Sequence, residues 1–114
     1  MDRVVNPNDV NRITSNTAFK GTFTSENDIR VDGKLEGEIV SQGKVVVGPT
    51  GVIDGKITAV NADFGGTMTK GSFEIYDTLC FKGGSKVNGD MSFKRIQIEM
   101  DAKVTGTCRV IDQK

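Results

Sequence analysis

The 114-residue chain contains no histidine and no tryptophan, and only two prolines and two cysteines. Without histidine it lacks the side chain that most often serves as general base near neutral pH and as zinc ligand, so the commonest hydrolytic and metal-dependent chemistries have no ready carrier. Cys80 and Cys108 are too far apart in sequence to form a metal-ligand pair. No stretch approaches the roughly 18 apolar residues of a membrane-spanning helix. Neither sign of charge is in excess, with 15 lysines and arginines against 15 aspartates and glutamates. That balance removes the simple electrostatic case for nucleic acid or an anionic membrane as partner. The N-terminal Met1-Asp2-Arg3-Val4-Val5 has no apolar h-region, so no signal peptide is expected. Reduced thiols in a soluble cytoplasmic protein follow as the expectation. By length this is one domain with a single modest core.

What the chain does have is glycine, placed at intervals. Gly33-Lys34-Leu35-Glu36-Gly37-Glu38-Ile39 returns as Gly51-Val52-Ile53-Asp54-Gly55-Lys56-Ile57. With the second glycine as anchor, the phrase recurs at Gly21, Gly37, Gly55, Gly71, Gly89 and Gly106, spaced by 16, 18, 16, 18 and 17 residues. Two residues after the anchor stand Phe23, Ile39, Ile57, Phe73, Met91 and Cys108; two before it stand Phe19, Leu35, Ile53, Thr69, Val87 and Val104. The anchor's immediate neighbours are polar throughout, from Lys20 and Thr22 to Thr105 and Thr107. Alternation of period two is the mark of a half-buried strand, here nested in a period near 17. Four residues before the anchor every side chain is small: Thr17, Gly33, Gly51, Thr67, Ser85 and Ala102.

One repeat departs from the pattern. Eight residues before the anchor come Ile13, Ile29, Val47, Asp63, Phe81 and Ile98, and the aspartate is flanked by Ala62 and Phe64. A one-residue bulge that flips the phase locally is the expected cause. Tyr76 to Ser85, with Gly83-Gly84, reads as less regular than the other repeats, and so as a loop for partners or a simple excursion.

Columns that translate rather than mirror point to a β-solenoid, each repeat forming one coil with like residues stacked on like. Six coils of 16–18 residues make a rod of roughly 29 Å at about 4.8 Å per coil. The anchor glycines and the small column belong at coil corners, where space is short and positive φ is needed. The expected β-helix spans residues 13–112, between a short polar tail at 1–12 and Gln113-Lys114. A lone coil buries too little to fold, so stability comes from stacking, and the first and last coils keep open strand edges and a slice of core. Ile13, Phe19 and Phe23 at one end, and Val104, Cys108, Val110 and Ile111 at the other, are therefore the candidate contacts for end-to-end association. Cys80, between Leu79 and Phe81, is expected to point outward and to be open to labelling.

The stretches Asn11-Arg12-Ile13-Thr14, Ile29 to Ile39, Gly43 to Gly48, Gly55-Lys56-Ile57 and Val104-Thr105-Gly106-Thr107-Cys108 resemble the bactofilins, over about residues 11 to 112. The resemblance implies a right-handed triangular β-helix that polymerises without nucleotide, through head-to-head and tail-to-tail contacts of terminal coils. It further implies a bacterial cytoskeletal scaffold, often at the inner face of the cytoplasmic membrane, that organises peptidoglycan synthases or hydrolases and influences cell shape. Val4 and Val5 are the membrane-contact candidates, acting through the many copies of a polymer. Neither a cofactor nor nucleic acid is expected.

Three other readings compete. One is a solenoid adaptor that forms no filament and binds a peptidoglycan-modifying enzyme along one face. Another is a hexapeptide-repeat acyltransferase or gamma-type carbonic anhydrase, but those enzymes use the histidine absent here. Gly51 to Lys56 is a third, superficially a phosphate loop, but it is one spacer short and lacks the Ser/Thr after the lysine.

Overall fold

The computed structural model describes residues 11–111. Two kinds of strand alternate along the chain. The short ones are β1 (Asn11–Ile13), β3 (Ile29–Val31), β5 (Lys44–Val47), β7 (Asn61–Phe64), β9 (Thr78–Phe81) and β11 (Arg95–Ile98). The long ones are β2 (Ala18–Ser25), β4 (Lys34–Ser41), β6 (Val52–Ala59), β8 (Thr67–Ile75), β10 (Lys86–Phe93) and β12 (Lys103–Val110). Short strands pair with short and long with long, always in parallel, giving two six-stranded sheets whose order follows the chain. One short and one long strand make a coil, and six coils stack into a parallel β-solenoid with no helix among the described residues.

The long strands turn about their glycines. Leu35 and Ile39 in β4, like Ile53 and Ile57 in β6, are fully buried on either side of the anchor. Gly37 between them is exposed and has a φ of 131°. Gly21, Gly55 and Gly106 adopt the same left-handed backbone, with φ of 131°, 146° and 135°, which residues with a side chain rarely take. A second constraint is steric. A Cβ on Gly37 would collide with the carbonyl oxygen of Gly21, and the same collision repeats up the stack to Gly106 over Gly89. The side chain would point along the stacking axis into the coil before. Glycine is therefore required by the coil beneath as well as by the bend.

The small column also has a structural reason. In its turns the next coil's backbone donates down the stack: Lys34 N–H to the carbonyl of Thr17, Val52 to Gly33, Thr67 to Gly51, Lys86 to Gly66 and Lys103 to Ser85, at 2.8–3.0 Å. Side chains there would crowd the bonds, and a Cβ on Gly33 or Gly66 would strike the carbonyl oxygens of the turn below. In the fourth coil the position is held by buried Gly66, not by Thr67 as the repeat suggested.

That shift belongs to the irregular repeat, where the structure corrects the expected bulge position. Ile39 is followed by Val45 at its next inward place on β5, six residues on, while Ile57 reaches Ala62, the register partner of Val45, in five. The turn after Ala59 is thus one residue short, and Val60 and Asn61 both donate to the carbonyl of Gly43. Ala62 and Phe64 face inward, while Asp63 faces out and pairs with Lys44 at 2.9 Å. The bulge lies further on, in β8: Ile53 aligns with Met68 but Asp54 with Lys70. Met68, 1% exposed, fills the core place expected for Thr69, which is exposed instead. Phe64, Phe73 and Phe81 then pack edge to face, with ring centroids 5.4–6.1 Å apart. The alternation of 16 and 18 has its own cause. The turn after Val31 or Phe64 is two residues shorter than the turn after Val47 or Phe81.

Tyr76 to Ser85 is less irregular than expected. Thr78 to Phe81 form β9, paired on both sides by β7 and β11, and Ser85 closes the following turn by donating to the Lys82 carbonyl at 2.7 Å.

Candidate functional site

Inward columns are buried only while another coil lies above them. At the C-terminal end the last coil, β11 and β12, has a neighbour on one side alone among the described residues. Ile98 aligns with Phe81 and Val110 with Phe93. The inner members of these pairs are 0% and 3% exposed, whereas Ile98 is 50% and Val110 65% exposed. Cys108, over buried Met91, is an exposed free thiol. Ile96, Val104 and Ile111 are half-buried at the same end, and Met100 in the last turn is 88% exposed. Ile98, Cys108 and Val110 are core residues by column and surface residues by circumstance, the mark of an unpartnered face.

The N-terminal end differs in character. Phe19 and Phe23 lie half-buried with their rings 5.5 Å apart. Ile13 is 5% exposed, much less than Ile98 at the opposite end of the same column. With Arg12, Thr17, Thr22 and Thr24 these residues line an open depression of about 580 Å³. The terminal residues singled out from sequence thus fall at two separate ends. Val4 and Val5 lie outside the described residues. The sequence reading left Ile96, Ile98 and Met100 out of the contact set. Ile98 carried a signal, since it occupies a column whose other members are core. Met100 carried none, because it lies in a turn, outside any periodic column.

The sides of the rod offer little reactive chemistry. The buried polar residues are Ser25, Ser41 and Ser85, which tie turns: the Ser41 hydroxyl donates to the Asn27 carbonyl at 2.9 Å, and the Ser25 hydroxyl accepts from the Asn27 N–H at 3.0 Å. Along the glycine column runs a wide trough of about 760 Å³, floored by Gly21, Gly37, Gly55 and Gly71 and edged by Glu38, Asp54, Lys56 and Lys70. No group of His, Cys, Asp or Glu among the described residues is arranged to hold a metal. No helix in them is long and apolar enough to cross a membrane.

Charged side chains mainly link neighbouring coils, Lys56 to Glu74 at 3.1 Å and Lys82 to Glu99 at 3.6 Å. Tyr76 Oη donates to Glu74 at 2.6 Å, and this bond, helped by Lys56, holds the Glu74 carboxyl below its ordinary range while raising the tyrosine's. Cys80 corrects another expectation. It lies between two core positions on β9, as anticipated, yet it is only 6% exposed. Burial pushes its thiol above the usual range, so it is shielded and unreactive.

A protein-family model described as "Bactofilin: Polymer-forming cytoskeletal" matches residues 11–109. No curated protein and no solved structure gives a match.

Proposed function

From the premise that this chain belongs to the bactofilins, a polymer-forming cytoskeletal family, we propose that it is a scaffold whose coils continue from one molecule to the next in filaments that need no nucleotide. The observation that carries this reading is the C-terminal face, where Ile98, Cys108 and Val110 continue core columns with no further coil above them among the described residues. A second copy placed there restores the burial that every inner coil already has, and a contact that repeats at each end without closing makes a filament. The family is structural, and the sides of the rod present no buried acid, base or metal cluster among the described residues.

The scaffold would work at the cytoplasmic side of the membrane, with Val4 and Val5 of many copies summing weak apolar contacts. Its long mixed-charge flanks would receive the peptidoglycan synthases or hydrolases it organises. The test is Val110→Asp. Because Val110 is 65% exposed, the single molecule should unfold at nearly the wild-type denaturant midpoint. Longitudinal association should be lost, since a carboxylate would be buried unpaired at the contact. A variant that still sediments as filaments would show that this face is not the contact. A wild-type protein that stays monomeric at all concentrations would favour the adaptor that forms no filament.

A further inference from the structure

The sulfur atoms of the described residues are sharply partitioned. Met68 and Met91 are each 1% exposed and Cys80 is 6% exposed, all within the stack. Met100, 88% exposed, and the exposed Cys108 both belong to the last coil. Met100 lies in a turn held in place by two backbone bonds, Glu99 N–H to the Phe81 carbonyl at 2.9 Å and Ala102 N–H to the Glu99 carbonyl at 3.3 Å. Met100 thus belongs to the last turn of the stack, two residues after Ile98 and one coil beyond Gly83, at the C-terminal end. We infer that Met100 is an oxidation site through which peroxide weakens end-to-end assembly; this rests on the reading of that face as a contact between copies.

The chemistry is a two-electron oxygen transfer. The thioether sulfur of Met100 attacks one oxygen of hydrogen peroxide, the O–O bond breaks, an S=O bond forms and water leaves. The sulfur is oxidised and the peroxide reduced. An apolar, adaptable side chain becomes a polar one with a strong acceptor, which an apolar contact between copies leaves unsatisfied. A methionine sulfoxide reductase reverses the change. The coil itself is unaffected, because Met100 makes no part of the buried core.

The experiment uses the full wild-type chain and follows pelleting against protein concentration before and after hydrogen peroxide, with dithiothreitol added after oxidation to reverse thiol modification and the modified residue identified by mass spectrometry. Oxidation should appear at Met100 well before Met68 or Met91. It should raise the concentration needed for pelleting roughly tenfold, and reductase treatment should restore it. Met100→Leu should pellet at the same concentration before and after peroxide. The inference is overturned if Met100 sulfoxide protein pellets like the untreated protein, if Met100→Leu is equally sensitive to peroxide, or if dithiothreitol alone restores assembly. Failure of the untreated wild-type protein to pellet at any concentration would instead refute the end-to-end reading, and this inference with it.

Discussion

Gly37 and Gly21 are equivalent residues one coil apart, and the same methyl group would meet very different surroundings at each. Both have a φ of 131°. At Gly37 an added Cβ strikes the Gly21 carbonyl oxygen, while at Gly21 the nearest atom is a Phe19 ring carbon at 3.9 Å. Gly21→Ala should cost only the backbone term, about 1–2 kcal/mol. Gly37→Ala should cost more than about 3 kcal/mol by adding an overpacking term, and denaturant titration of both variants separates the two. Asp101 is the reverse case, a non-glycine residue at φ 72° where the preceding coil has Gly84 at 86°. Asp101→Gly should raise stability by up to about 1 kcal/mol, seen as a higher melting temperature. The glycine periodicity was legible in sequence; the direction in which a Cβ would point was not, because it depends on the coil beneath. The accessibility of Cys80 was misjudged for a related reason. Alternation tells which side of a strand a residue faces, and side chains from adjacent coils can still close over it. The unassembled Val110→Asp protein should therefore react with a thiol reagent quickly at Cys108 and slowly at Cys80. The raised Cys80 pKa means the folded state keeps its proton to higher pH than the unfolded chain. Its linked contribution to stability is thus flat below the pH at which a free thiol titrates and falls as pH rises above it.

Among the elements, the fourth coil shows how a solenoid absorbs an error of phase. A missing turn residue after Ala59 moves Ala62 and Phe64 into the core places, and the extra residue in β8 puts the following glycine back in line over Gly55. Sequence alternation exposed the disturbance at Asp63, but periodicity alone could not separate a short turn from a bulge. One lies in the turn between β6 and β7 and the other within β8, and they cancel in chain length. Deleting Thr69 should therefore be tolerated, with stability within about 1 kcal/mol of wild type, because the deletion leaves Met68 two residues from its glycine, as in the other coils. Deleting Thr58 from the regular strand β6 should instead invert the facing of Ala59 and prevent cooperative folding. The phenylalanine cluster beside the irregular turn should be expensive to remove. Phe73→Ala should cost about 3–5 kcal/mol in equilibrium unfolding, given its 2% exposure and ring contacts on both sides.

At the scale of the whole molecule, the parallel solenoid and its six coils were readable because translation of columns has few structural solutions. The proposed end contacts were legible in the apolar columns that reach the first and last coils, Phe19 at one end and Val110 at the other. The inequality of the two ends was not. It depends on how far Phe19 and Phe23 pack down over the first coil, while Ile98 and Val110 stand clear of the last. An interior coil is stabilised by neighbours on both sides, and in the proposed filament a molecule added at an end would repeat what each coil does within the chain. The most direct test is negative-stain microscopy of the purified wild-type chain in nucleotide-free buffer, beside the Val110→Asp and Ile98→Asp variants at equal concentration. The account predicts long unbranched filaments for wild type and none for either variant, with both variants folded by circular dichroism. Filaments of normal length from both folded variants, or none from wild type at any concentration, would contradict it.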